Sequence, residues 1–263
     1  MDLGLGGKVA LVAAASKGLG RAIALELAAE GARLAICSRD ARAIEAAGRA
    51  IADATGADVL ARSADVSRPG DVAALVDAAL ARFGRVDVLV TNSGGPPPGR
   101  FESIDAAAWQ KAVELTLFAP VELARRVLPG MKERRWGRIL NVTSIAVKQP
   151  VENLMLSNSL RAAVTGWART LANEVAPYGI TVNNLMPGFT RTERMEELAR
   201  ATAEREGISM EQATARWERE IPIGRLAEPR EFAALAAFLA SSRADYITAT
   251  SIPVDGGWIR TLL

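Results

Sequence analysis

The chain has 263 residues, 49% of them hydrophobic, with a formal net charge of +2, one cysteine and no histidine. Without histidine, Ser-His-Asp chemistry and most zinc sites are excluded, and a lone cysteine leaves no intramolecular disulfide. Acids and bases are interspersed, with no basic patch among aromatics, so no nucleic-acid partner is expected; no metal site is expected either.

In chain order, residues 9–13 are a short apolar run, the mark of a strand buried on both faces. Ser16, Lys17, Gly18, Leu19 and Gly20 break it. Residues 21–30 carry apolar positions at helical spacing, with Ile23 and Leu27 inward and Leu25 and Ala28 alongside, and Gly31 stops that helix. Residues 33–37 are a second strand, with Cys37 as a small core side chain. A helix over 41–54, stopped by Gly56, leads to a strand at 58–61 that closes in Asp65-Val66. Pro69 begins a helix through 81 with Val72, Leu75, Val76 and Leu80 inward, stopped by Gly84.

Residues 86–91 are a fourth strand, which runs into the Pro- and Gly-rich loop 92–99. A long helix is expected over 106–128, kinked by Pro120 and broken by Pro129-Gly130. Strand five covers 138–142 and ends in Thr143-Ser144. A helix over 153–175 follows and strand six covers 180–185. A charged helical insertion spans 190–222, a helix 228–239 and a last strand 251–254. The strands and interleaved helices predict a single α/β domain over residues 1–263, a doubly wound parallel sheet of seven strands. No apolar run reaches membrane-spanning length, and no leader-like N-terminus is seen, so neither membrane nor secretory targeting is expected; a cytoplasmic location is.

The first strand, glycine turn and helix aim free backbone N–H groups and a positive helix end at one point, which suits a phosphate. Ala14 stands where a three-glycine fingerprint has its first glycine. The alternative is a tight strand–helix turn that binds nothing. At the end of strand two, Ser38-Arg39 supplies a cation where an acid would bind a ribose 2′-hydroxyl, and Lys17 adds a second charge. The pair favours a dinucleotide carrying a 2′-phosphate.

These motifs, in this order, resemble the short-chain dehydrogenase/reductase family over nearly the whole chain, most of all its ketoacyl-carrier-protein reductase-like branch. Ala14 to Gly20 is similar to the family's glycine-rich turn, Asp65-Val66 to its adenine contact, and Thr91-Asn92-Ser93-Gly94 to its Asn-Asn-Ala-Gly motif. Asn141-Val142-Thr143-Ser144 is similar to the strand carrying the catalytic serine. Asn183, Pro187, Gly188, Thr190 and Thr192 are similar to the segment around the nicotinamide, and Asp255-Gly256-Gly257 to the C-terminal signature. The resemblance implies a Rossmann-type fold, NADP(H) in preference to NAD(H), a small carbonyl or alcohol substrate (a 3-oxoacyl thioester in this branch), and a homotetramer or homodimer built on the two long helices.

The family's Asn, Ser, Tyr and Lys fall here on Thr116, Ser144, Ser157 and Arg161, so only the serine is kept. Residues 157 and 161 share one helix face. A serine hydroxyl is a far weaker acid than a phenol, and an arginine keeps its proton with a pKa of about 12.5 or above. Ser144 and Ser157 can donate to a carbonyl oxygen with Arg161 behind them, and Arg161 can also hold ribose hydroxyls; the proton then comes from water. Lys148 and Glu152 are candidate substitute acids, or solvated loop charges. Tyr178 and Tyr246 lie in segments the family uses structurally. Three functions stay open: a carbonyl reductase with a remodelled site, a non-catalytic dinucleotide binder acting as sensor or partner subunit, and an epimerase or dehydratase. The 190–222 insertion is expected as a substrate lid, or as a helix pair packed on its own domain.

Overall fold

The computed structural model describes residues 2–262. Its strands are β1 Val9–Val12, β2 Arg33–Ser38, β3 Val59–Ser63, β4 Val88–Thr91, β5 Gly137–Val142, β6 Ile180–Pro187 and β7 Ser251–Val254. They form one parallel sheet in the order β3-β2-β1-β4-β5-β6-β7. β1 is the pivot, with Leu11 opposite Ala35 of β2 on one side and opposite Leu89 of β4 on the other. The chain winds outward to β3 and returns on the far side of β1. That reversal leaves a crevice beyond the carboxyl ends of β1 and β4, where a ligand finds room.

The helices are α1 Gly18–Ala29, α2 Ala41–Thr55, α3 Pro69–Phe83, α4 Ala106–Val113, α5 Ala119–Arg134, α6 Met155–Val175, α7 Glu193–Glu206, α8 Met210–Glu220 and α9 Pro229–Ala240. The two-residue period of β1 sorts its side chains between two layers. Ala10 and Val12 pack with Ile23 and Leu27 of α1, Ile44 of α2 and Phe232 of α9. Val9 and Leu11 pack with Leu75 of α3, Leu123 of α5 and Ala168 of α6. Fully burying one such Val or Leu is worth about 1.5–3 kcal/mol, which is what draws an apolar run to the centre of the sheet. Cys37 lies within this core, where burial pushes its thiol up to about 11 and removes its reactivity.

Gly56 and Gly84 cap α2 and α3 in the left-handed conformation, as expected. Other expectations are corrected. Leu80 is 39% exposed, and the buried stripe of α3 is Val72, Leu75, Val76, Ala79 and Phe83, because 3.6 residues per turn carries position 80 round to solvent. Leu25 of α1 is exposed in the same way. The helix expected over 106–128 runs without a break from α4 through a π-helical turn at Glu114–Phe118 into α5, and it extends to Arg134. Pro120 stands directly after that π-helical turn, where its missing N–H removes one helical bond without ending the helix. Pro129-Gly130 does not break the chain. Pro129 frees only the carbonyl of Arg125, on a stretch whose side chain faces water, and the helix ends at Arg135 with φ 52°. The helix expected from residue 153 begins at Met155, because Asn153 has φ 62°.

A polar chain crosses this apolar sheet. Thr91 Oγ1 donates to Asn141 Oδ1 (2.7 Å), Asn141 Nδ2 to Asn184 Oδ1 (3.0 Å), and Asn184 Nδ2 to Ser251 Oγ (3.0 Å). It links four neighbouring strands, from the carboxyl ends of β4 and β5 through the middle of β6 to the first residue of β7. β7 is an edge strand. The amides of Asn184 and Gly188 bond the carbonyls of Thr250 and Val254, so residues 251 and 253 turn their backbone groups outward, and residue 253 is proline. Among the described residues, no helix is long and apolar enough to cross a membrane.

Candidate active site

Leaving β1, the chain turns into α1 through Ala14, Ser16 and Lys17. Ala14 stands at φ 50°, the left-handed conformation that glycine adopts freely and alanine does not. Ala14→Gly therefore raises stability by about 1 kcal/mol, read as a higher urea midpoint; an unchanged midpoint would show the turn to be unstrained. A Cβ on Gly20 would lie 2.3 Å from the Ala14 carbonyl oxygen and 2.7 Å from Asn92 Nδ2, so only glycine allows α1 to pack this close. Asn92 Nδ2 itself donates to that carbonyl (3.3 Å), bracing the turn from the loop after β4. α1 begins without a capping side chain. The amides of Gly18, Leu19 and Gly20 in its first turn are thus left free for an anion in the crevice.

The two cations expected to converge take different partners. Arg39 lies close enough to Asp65 to act on its charge. Burial pushes that carboxyl up, but bonds from the Ser67 hydroxyl and amide, with Arg39 and Arg68, hold it below the usual range. Lys17 instead reaches Glu197 on α7 (3.9 Å), an exposed pair worth little. Val66 is buried beside Asp65, while Ser93 is half-buried and Gly94 exposed in the loop after β4.

Beyond β5, Ser144 caps a short 3₁₀ turn, Ile145–Val147, its Oγ accepting from the Ala146 amide (3.1 Å). On α6, Arg161 Nε donates to Ser157 Oγ (3.3 Å) and Nη1 to the Val142 carbonyl (2.7 Å), which ties α6 to the end of β5. Each serine oxygen therefore accepts one bond, and among the described residues neither hydroxyl donates one. Thr165 and Thr170 on the same helix do donate, to the carbonyls of Arg161 and Gly166. The Ser144 and Ser157 protons are free to point at a ligand. Burial, with Arg194 as a neighbouring cation, brings Arg161 down to about 10, below the expected range yet still protonated at neutral pH. Thr116 lies in the π-helical turn against α6, buried, with its hydroxyl unpartnered. Lys148 and Glu152 are exposed, as solvated loop charges are. Tyr178 stacks under Lys132 and Tyr246 is fully exposed.

The fourth wall follows β6. A Cβ on Gly188 would lie 2.7 Å from Asp255 Cα, so glycine lets the C-terminal Asp255-Gly256-Gly257 segment close against Pro187-Gly188. Thr190 is buried and bonds the Gly188 carbonyl, and Thr192 caps α7 through the Met195 amide. The 190–222 segment packs on its own domain: Trp217 of α8 stacks on Phe189 (5.6 Å), which meets Trp258 edge-on (5.5 Å). Arg194 of α7 was missed by the sequence reading. Its Nη2 donates to the Pro96 carbonyl (3.0 Å), and its guanidinium lies over Gly95, 3.6 Å from where a Cβ would stand. Among the closely spaced charges of residues 191–206 nothing in the sequence singles it out; its bond to a loop 98 residues away does.

A protein-family model described as enoyl-(acyl carrier protein) reductase matches residues 13–259. The 3-oxoacyl-(acyl-carrier-protein) reductase of Vibrio cholerae is 35% identical over 255 residues, 97% of this chain and 98% of that protein. An NADPH-dependent reductase of Bacillus subtilis is 32% identical over 256 residues, 97% of this chain and 99% of that protein. The structure of L-sorbose reductase from Gluconobacter frateurii, complexed with NADPH and L-sorbose, superimposes with a TM-score of 0.95 at 35% identity, covering all of both chains.

Proposed function

Since the chain belongs to the short-chain dehydrogenase/reductase family, we propose that its crevice binds NADPH and that the enzyme reduces the carbonyl of a small molecule or, in reverse, oxidises the corresponding alcohol. The residues present fit the dinucleotide. The uncapped start of α1 offers amides for the pyrophosphate, Gly20 permits the close turn, and Arg39 beside Asp65 supplies the cation that a 2′-phosphate needs. Ser16, Lys17, Asp65, Val66, Asn92, Ser93, Gly94, Pro187, Gly188, Thr190 and Thr192 line the same crevice in this reading.

When bound, the reduced nicotinamide supplies the hydride. What the chain supplies is charge and position. The observation that carries the reading is the pair of free hydroxyl protons at Ser144 and Ser157, with the Arg161 cation bonded behind Ser157. Two donors and a buried cation stabilise an oxyanion as it forms, the largest single contribution in many enzymes. Neither serine is acidic enough to surrender its proton, so the alkoxide is protonated by water. Thr116 stands in this proposal as a positioning residue beneath α6.

The test is a fluorescence titration with NADPH and NADH, then turnover of ketoacyl thioesters, the substrate class named for the Vibrio cholerae relative. Arg39→Ala weakens NADPH by about 10–100-fold and NADH by less than about threefold, because one charge-assisted phosphate contact is lost. Equal losses for both would remove Arg39 from the cofactor site. NADPH binding with no turnover of any carbonyl would favour the sensor or partner-subunit alternative. A homodimer or homotetramer through α4, α5 and α6 belongs to the same proposal, supported by the exposed Phe118 beside Val66, Pro69 and Val121. So does movement of residues 190–222 as a lid, supported by the bond of Arg194 to the loop after β4.

A further inference from the structure

Among the described residues two arginines are buried, and they are treated differently. Arg138, 1% exposed, has Asp245 as its counter-ion and stacks on Trp136 (4.2 Å). Arg161, 9% exposed, has no carboxylate partner among the described residues, and its two bonds go to a hydroxyl and a carbonyl. A buried guanidinium without an anion is costly, and a bound anion relieves that cost. Arg161 is bonded at the carboxyl end of β5 and Arg194 over the loop that leaves the adjacent β4, so the two cations share one end of the sheet, and Arg194 adds to burial in bringing Arg161 down. Arg194 is paired, but only with an exposed acid. Its contact with Glu197 is long (3.4 Å), between half-exposed side chains, and its other bond is to the neutral Pro96 carbonyl.

We propose that Arg161 and Arg194 form an anion subsite beside Ser144 and Ser157 that takes the carboxylate of an oxo-acid substrate, an inference that rests on the carbonyl-reductase reading above. Carboxylate oxygens match the fork of a guanidinium, and two guanidiniums from different helices fix the acid group while the neighbouring carbonyl faces the serines. An acyl thioester or a neutral ketone offers this pair no charge to neutralise it. A dinucleotide phosphate presents the same anionic oxygens, and the experiment separates the two sources.

The experiment is a calorimetric titration of the full-length protein, with and without saturating NADPH, using oxamate and its neutral methyl ester. Both carry the same amide carbonyl; only oxamate carries the carboxylate. Oxamate binds at least about tenfold tighter than the ester, Arg194→Met cuts that ratio below about threefold, and Arg194→Lys, which keeps the charge, retains more of it than Met does. The affinity for NADPH stays within about twofold in Arg194→Met. A wild-type ratio near one overturns the proposal. So does a tenfold loss of NADPH affinity in Arg194→Met, which would assign the guanidinium to a cofactor phosphate. Oxamate preference without hydride transfer to any carbonyl keeps the subsite and removes the reductase reading. Turnover of neutral ketones without that preference does the reverse.

Discussion

Arg161→Met lowers kcat/KM for carbonyl reduction by about 10²–10³-fold and at the same time raises the unfolding temperature by a few degrees. The two effects have one origin. Arg161 is a buried cation whose partners are a serine hydroxyl and a carbonyl. Such a group stabilises an oxyanion strongly because nothing else neutralises it, and it burdens the folded state for the same reason. Methionine fills a similar length with apolar atoms. It leaves the Val142 carbonyl without its 2.7 Å bond, a loss of about 1–3 kcal/mol. The desolvation of an unpaired charge amounts to several kcal/mol, so relief wins. Steady-state kinetics and thermal unfolding on one preparation check both halves. Activity lost together with a lower unfolding temperature would mean that Arg161 is a strut between α6 and β5, with no separate role at the substrate.

Asn141→Ala destabilises the protein by about 3–5 kcal/mol. The side chain is fully buried and holds the middle of the chain from Thr91 to Ser251. Its removal strands the Thr91 hydroxyl and the Asn184 oxygen, each at about 1–3 kcal/mol, and leaves a cavity. Chemical denaturation is the measurement, with the slope expected to hold while the midpoint falls. Lys148→Ala, on an exposed loop, serves as the comparison and stays within about 0.5 kcal/mol. A loss below about 1 kcal/mol at Asn141 would mean that water replaces it and that the four strands are not joined there.

The parts of the fold that follow local rules were legible in the sequence. Apolar runs gave the strands, and Gly56 and Gly84 marked helix ends through backbone freedom alone. Errors arose where two local rules competed. Leu80 is apolar but one residue off the stripe that Ala79 and Phe83 complete. Pro129 breaks a helix by propensity, yet solvent accepts the one carbonyl it frees. The π-helical turn around Thr116 has no periodic signature. In the site, Ser157 and Arg161 were readable because four residues make one helix face. The Arg194–Pro96 bond and the four-strand polar chain join residues far apart in sequence, and no spacing announces them.

The edge at β7 bears on aggregation. An open strand is a template on which another chain can continue hydrogen bonding, and folds of this kind must blunt it. Here the outward backbone groups belong to Ser251 and Pro253, and the proline has no proton to give. A strand laid against this border would find one amide donor where a regular edge of the same length offers two. One residue therefore halves the amide donors along this border. A copy of the molecule that meets this edge finds a poorer template for continuing the sheet.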